Sequence, residues 1–121
     1  MEPFGGHAIF IDAKRFLPHI PDEEFPGQAL AVELYIEGGI RSSEVGALMA
    51  DRDPVTRKNR HSGVELIRLA IPRRVYTDRH MDYVAVVVKN VYERRDAVKR
   101  GLRIKKEALL LRHFSLELER L

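Results

Sequence analysis

The chain has 121 residues, Lys+Arg 21 against Asp+Glu 18, 45% hydrophobic and 32% charged residues, and no cysteine. This is the composition of one globular domain, 1–121, with a real core, and it excludes a fibrous repeat, a disulfide framework, a thiolate metal site and a cysteine nucleophile. A net charge of +3 makes no strong field, no stretch reaches the roughly 18 apolar residues of a membrane span, and Met1-Glu2-Pro3-Phe4 carries no export signal, so a cytoplasmic protein with neither nucleic-acid nor membrane partners is expected.

His7 to Asp12, a β-branched and aromatic run after Gly5-Gly6, predicts the first strand. Phe16 to Pro21 is interrupted by Pro18 and Pro21 and can hold at most a helical turn before them. From Gly27 to Ile36 the apolar residues alternate, yet Ala29, Ala31 and Glu33 favour a helix that ends at Gly38-Gly39. Those glycines place Arg41 on a turn. Asp51 to Gly63 lacks apolar periodicity and reads as an exposed loop. Val64 to Ile71, stopped by Pro72, is the second predicted strand. Thr77 or Asp78 caps a long helix whose stripe is Met81, Val84, Ala85, Val88, Val91 and Tyr92, expected to end near Gly101 and to lie against a sheet. Leu102–Lys106 and Leu110–Leu118 are read as two further strands. The expected class is α+β, a short sheet packed against helices.

Arg68 stands inside Leu66-Ile67-Arg68-Leu69-Ala70-Ile71, and a guanidinium among apolar neighbours needs a carboxylate or phosphate for its planar fork. That anion is either a ligand's or a protein acid's, unless the side chain reaches solvent from a strand edge. Arg41 has the same two readings, weighted towards a solvated loop. His113, between Arg112 and Phe114, is either a hydrogen-bonding or proton-carrying group or a surface strand histidine. His7, His19, His61 and His80 show no ligand spacing, so no metal site is expected. There is no GxGxxG, GxxxxGK[ST] or GxSxG string. The basic loop Arg52–His61, with Asp51 and Asp53 beside it and no interleaved aromatics, reads as a solvated connector.

Several strings, taken in order, resemble those of a known family. They are Gly5-Gly6-His7-Ala8-Ile9-Phe10-Ile11-Asp12-Ala13, Phe25-Pro26-Gly27-Gln28-Ala29-Leu30-Ala31, Gly39-Ile40-Arg41-Ser42, Asp51-Arg52-Asp53-Pro54 and Arg68-Leu69-Ala70-Ile71-Pro72-Arg73. Tyr76-Thr77, His80-Met81-Asp82 and Leu111-Arg112-His113-Phe114 continue the series. Nearly end to end, the chain resembles the C-terminal small domain of the pyridoxal-phosphate-dependent β-eliminating lyases, tryptophanase and tyrosine phenol-lyase.

The resemblance implies the aspartate-aminotransferase-like fold, fold type I, and lyase chemistry on an amino acid, L-tryptophan and water giving indole, pyruvate and ammonia. It assigns Arg68 to the substrate carboxylate, Arg41 to the border of the leaving-group pocket, and His113 with Phe114 to the side-chain pocket. Histidine at 113 is the tryptophanase-like choice, phenylalanine the phenol-lyase one, and Ser43-Glu44-Val45-Gly46 leans the same way. It also implies that the Schiff-base lysine, the pyridoxal 5'-phosphate site and the K+ ligands belong to a large domain absent from this chain. No catalytic, cofactor-binding or metal residue is then expected here, and the chain alone should be inactive. Its expected partners are its own or a separately encoded large domain, an amino-acid substrate and further copies in a tetramer. A cut domain, a truncated gene product and half of a split enzyme remain equal readings, while a phenol-lyase or other β-eliminating lyase domain and a non-catalytic, self-associating fragment are the alternatives to the tryptophanase-like one.

Overall fold

The computed structural model describes residues 6–121; Met1 to Phe4, read for an export signal, and Gly5 lie outside them. The first predicted strand forms as β1 (Ala8–Asp12), and the second as β3 (Leu66–Ala70). They pair antiparallel, with Phe10 opposite Arg68 and Ile11 opposite Ile67. A strand the sequence did not announce, β2 (Ser43–Val45), covers the other edge of β3, with Ser43 opposite Arg68 and Glu44 opposite Ile67. The order β1-β3-β2 makes β3 the central strand. β2 is too short for a legible period; it is a strand because β3 offers it partners.

The break at Phe16–Pro21 is as expected. A single turn, α1 (Ala13–Phe16), is capped by the Asp12 carboxylate, which accepts the Arg15 N–H at 3.0 Å. A 3-10 turn at Asp22–Glu24 then leads to Pro26 at the first position of α2 (Pro26–Gly38). Gly39 closes α2 at φ +67°, a left-handed conformation that costs a residue with a Cβ about 1 kcal/mol. Ala29, Leu30, Ala31 and Leu34 are buried on several sides of α2, which lies between the three-stranded sheet and α3 (Asp78–Glu93). A helix enclosed in this way needs no single apolar stripe, which is why its sequence could be scanned as alternating.

α3 starts where expected: the Thr77 side chain accepts the His80 N–H, and His80 Nδ1 accepts the Thr77 N–H at 3.0 Å. It ends at Glu93, not near Gly101. Past that point the Arg94 guanidinium turns back to Glu33 at 2.8 Å and Glu37 at 3.1 Å on α2, and a 3-10 turn at Arg95–Ala97 redirects the chain. The expected stripe is also corrected. Val87 and Val91 are the buried residues, Val84 and Val88 pack beside them, and Ala85 and Tyr92 are exposed. The reason is the partner: α3 packs chiefly on α2 and not on a sheet, so a narrower seam is covered.

β4 (Leu102–Lys106) is as predicted, but Leu110–Leu118 is not one strand. Leu111 takes φ +50°, Arg112–Phe114 form a 3-10 turn, and only Glu117–Arg120 is a strand, β5, antiparallel to β4. The alternation through Leu110, Arg112 and Phe114 is therefore not a pleat. The class is α+β, with three helices and two small sheets among the described residues. Among the described residues no helix is long and apolar enough to cross a membrane.

Candidate functional site

Alternation along β3 buries Ile67 and Leu69 against α2 and turns Arg68 to the opposite face, shared with its cross-strand neighbours Phe10 and Ser43. Arg68 is half-buried, and its guanidinium forms no hydrogen bond or ion pair with any described residue. A central strand offers no edge from which a side chain escapes sideways into water. The guanidinium thus stands on a fixed platform with its fork unused, an arrangement suited to a planar anion.

Arg41 precedes Ser43 by two residues and is exposed, as is usual for a loop arginine. It lines a cleft of about 290 Å³ whose walls include Ile9, Leu69, Ile71, Tyr76 and Met81. The Ser42 hydroxyl between them is buried without a hydrogen bond. Arg68 does not line this cleft: Arg41 stands just before β2 at a cleft that Ile9 and Leu69 help to wall, whereas Arg68, opposite the first residue of β2, lies on the other face of β3 from Leu69.

His113 and Phe114 belong to a separate segment, and no hydrogen bond, ion pair or ring contact joins either of them to Arg41 or Arg68. Their rings lie 4.1 Å apart between centroids. Phe114 is 79% exposed, whereas His113 Nδ1 is buried with no partner. The histidine is thus neither in a strand nor simply on the surface. What fixes this turn is Arg112, 0% exposed, which sequence reading passed over. Its guanidinium donates to the carbonyls of Ala47 at 2.8 Å and Leu48 at 3.3 Å, to Asn59 Oδ1 at 2.8 Å and to Glu107 Oε2 at 3.2 Å. Asp51 adds a charge at 3.6 Å. The signal that would have found Arg112 is the one that flagged Arg68, a guanidinium in an aliphatic run, here Leu109-Leu110-Leu111. The loop read as a solvated connector supplies two of these partners, Asp51 and Asn59.

Behind this anchor lie two buried acids, Glu44 and Glu65. Glu44 accepts the N–H groups of Leu48 at 3.2 Å and Met49 at 3.1 Å; Glu65 accepts those of Ala47 at 2.8 Å and Gly27 at 3.4 Å. Burial pushes both carboxyls above the ordinary glutamate range, the backbone N–H groups opposing it, and Glu65 repels Glu44 further. Near Arg112 the directions reverse. The Arg52 N–H, with the Arg112 charge behind it, holds Asp51 low; Glu107 feels burial upward, but hydrogen bonds from Arg52 and Arg112 prevail and lower it.

A family model described as beta-eliminating lyase matches residues 19–87. A Trichomonas vaginalis protein described as a probable beta-eliminating lyase is 61% identical over 119 residues, which is 98% of this chain and 26% of the relative. The chain belongs to the β-eliminating lyase family. A tyrosine phenol-lyase from Symbiobacterium sp. is 51% identical over 119 residues, and a tryptophanase from Hyphomonas neptunium 50% over 121 residues. The chain spans about a quarter of the length of these relatives and matches their C-terminal part. Two β-eliminating lyases with different substrate names are thus equally similar to it.

Members of this family work with pyridoxal phosphate, which is anchored through a lysine. A Schiff-base lysine has its amine desolvated or set beside another cation. Lys14 is instead paired with Asp22, Lys89 with Glu93 at 3.6 Å and Lys106 with Glu117 at 3.6 Å, while Lys58, Lys99 and Lys105 are exposed. The residues of this chain do not fit the cofactor's anchoring site.

Proposed function

We propose that this chain is the substrate-clamping small domain of a tryptophanase-like carbon–carbon lyase with the fold type I architecture, acting on L-tryptophan to release indole, pyruvate and ammonia. The observation that carries the reading is Arg68, a half-buried guanidinium in the central strand that no acid among the described residues answers. In this role Arg68 grips the α-carboxylate with two parallel hydrogen bonds and fixes the orientation of the amino acid's Cα–H bond. Arg41 borders the space for the side chain. His113 and Phe114 wall it. Pyridoxal phosphate and its lysine, and the K+ site, come from a large domain, with which the chain assembles in the cytoplasm as part of an oligomer.

A second reading, a phenol-lyase domain, is favoured by the equal similarity to a tyrosine phenol-lyase. One experiment separates the readings. The chain is joined to the large domain of a β-eliminating lyase and assayed with tryptophan and tyrosine, alongside the chain alone with pyridoxal phosphate and tryptophan. The chain alone should yield no indole. In the joined enzyme Arg68→Lys should lower kcat/KM by about 2 kcal/mol, roughly 30-fold, because an ammonium cannot reproduce the fork. An unchanged kcat/KM ends the clamp assignment. His113→Phe should move preference from tryptophan towards tyrosine; equal ratios before and after would remove position 113 from specificity.

A further inference from the structure

Two successive peptide groups after β2 are each held at both poles. In the Ala47–Leu48 peptide the carbonyl accepts from Arg112 Nη2 at 2.8 Å while the N–H donates to Glu44 Oε1 at 3.2 Å. In the Leu48–Met49 peptide the carbonyl accepts from Arg112 Nε at 3.3 Å while the N–H donates to Glu44 Oε2 at 3.1 Å. Both oxygens of one buried carboxylate thus face two nitrogens of one buried guanidinium across two peptide dipoles. Such chains polarise and strengthen one another in a low-dielectric interior. Glu65 holds the preceding N–H, that of Ala47, at 2.8 Å. The approach is tight: a Cβ at Gly46 would stand 2.6 Å from both Glu44 Oε1 and Glu65 Oε2.

We propose that Glu44, seconded by Glu65, is a positioning residue for the His113–Phe114 wall, acting through the Ala47–Met49 peptides and the Arg112 guanidinium. The link to substrate rests on the reading of His113 and Phe114 given above; the mechanical relay does not. Arg112 is next in the chain to His113, so where its guanidinium is pinned sets where the imidazole and the phenyl ring stand. A neutral Glu44 loses one acceptor oxygen and its attraction for Arg112, and the wall should loosen. The other charges around the relay are Glu65, with Asp22 and Lys14 beside it, and Asp51 and Glu107 at Arg112.

The test follows the Arg112 Nε–H and Phe114 ring resonances of the 121-residue chain by NMR in Glu44→Gln, Gly46→Ala and Arg112→Lys. Gly46→Ala displaces the carboxylates without removing charge. All three variants should move the Phe114 signals in the same direction, with the amides of Ile9, Phe10 and Leu69 unmoved. Phe114 signals that stay at their wild-type positions in folded Glu44→Gln overturn the relay. Should that variant not fold, the wild-type chain is titrated with 13C-labelled glutamate carboxyls. Phe114 shifts that follow the Glu44 carboxyl carbon support the relay, and flat ones overturn it. In the joined lyase, Glu44→Gln should lower kcat/KM for tryptophan at least tenfold relative to S-methylcysteine, whose leaving group has no ring. NMR shifts with an unchanged ratio would keep the relay and sink the reading of His113 and Phe114 as a substrate wall.

Discussion

Arg112 is the most enclosed charge among the described residues, and every donor direction it uses is answered by a carbonyl, an amide oxygen or a carboxylate. Removing it leaves the Ala47 and Leu48 carbonyls without their donor and the half-buried Glu107 with Arg52 alone. Arg112→Met should therefore destabilise the chain by about 3 kcal/mol, read as a lower urea midpoint at unchanged m-value. A loss under 1 kcal/mol would mean that water replaces the guanidinium. Arg68 carries the same apolar-run signature, yet no described residue fills its fork. That contrast explains how much of the site the sequence disclosed. A charge in an aliphatic run says that a partner is needed; which partner answers depends on chain segments far away in sequence, such as Asn59 and Ala47 for Arg112.

Among the elements, the seam between α2 and α3 is the most exacting, since Val87 and Val91 fill it and Arg94 fastens its end to Glu33 and Glu37. Val87→Ala deletes two buried methyl groups and leaves a cavity between two rigid helices, a loss of about 2 kcal/mol. Ala85→Ser, on the exposed side, should stay within about 0.5 kcal/mol. Thermal unfolding of the two variants checks the pair, and equal effects would mean that α3 is rotated from its position here. The assumption that α3 faces a sheet would have placed Ala85 inside, so these substitutions also separate the two packings.

For the molecule as a whole, the buried acids tie stability to pH in opposite senses. Glu44 and Glu65 have folded-state pKa values raised above the ordinary 4.5, so their contribution is complete below that value and is lost as pH rises through the raised ones. Asp51 and Glu107 are lowered, so theirs is present above the ordinary carboxylate range and is lost on acidification through the lowered values. Relative to Glu44→Gln, the wild-type chain should become more stable as pH falls from neutral towards 4.5. Urea midpoints of both proteins across that interval measure the difference, and a difference that shrinks on acidification would contradict the burial of Glu44.

What the sequence by itself determined is whatever depends on near neighbours: β1, β3 and β4, the start of α3 at its Thr77 cap, the stop of α2 at Gly39, and the exceptional place of Arg68. Period, cap and turn chemistry are local, and local signals survive in a one-dimensional reading. Tertiary structure decided the rest. β2 exists because β3 presents free hydrogen-bonding groups, α3 ends where Arg94 finds two acids on α2, and the Arg112–Phe114 turn replaces a strand because a buried guanidinium is held by backbone carbonyls more than sixty residues earlier. Hydrogen bonds across such separations are settled only when the core has closed, and the acids and arginine behind the candidate site are held by bonds of that kind.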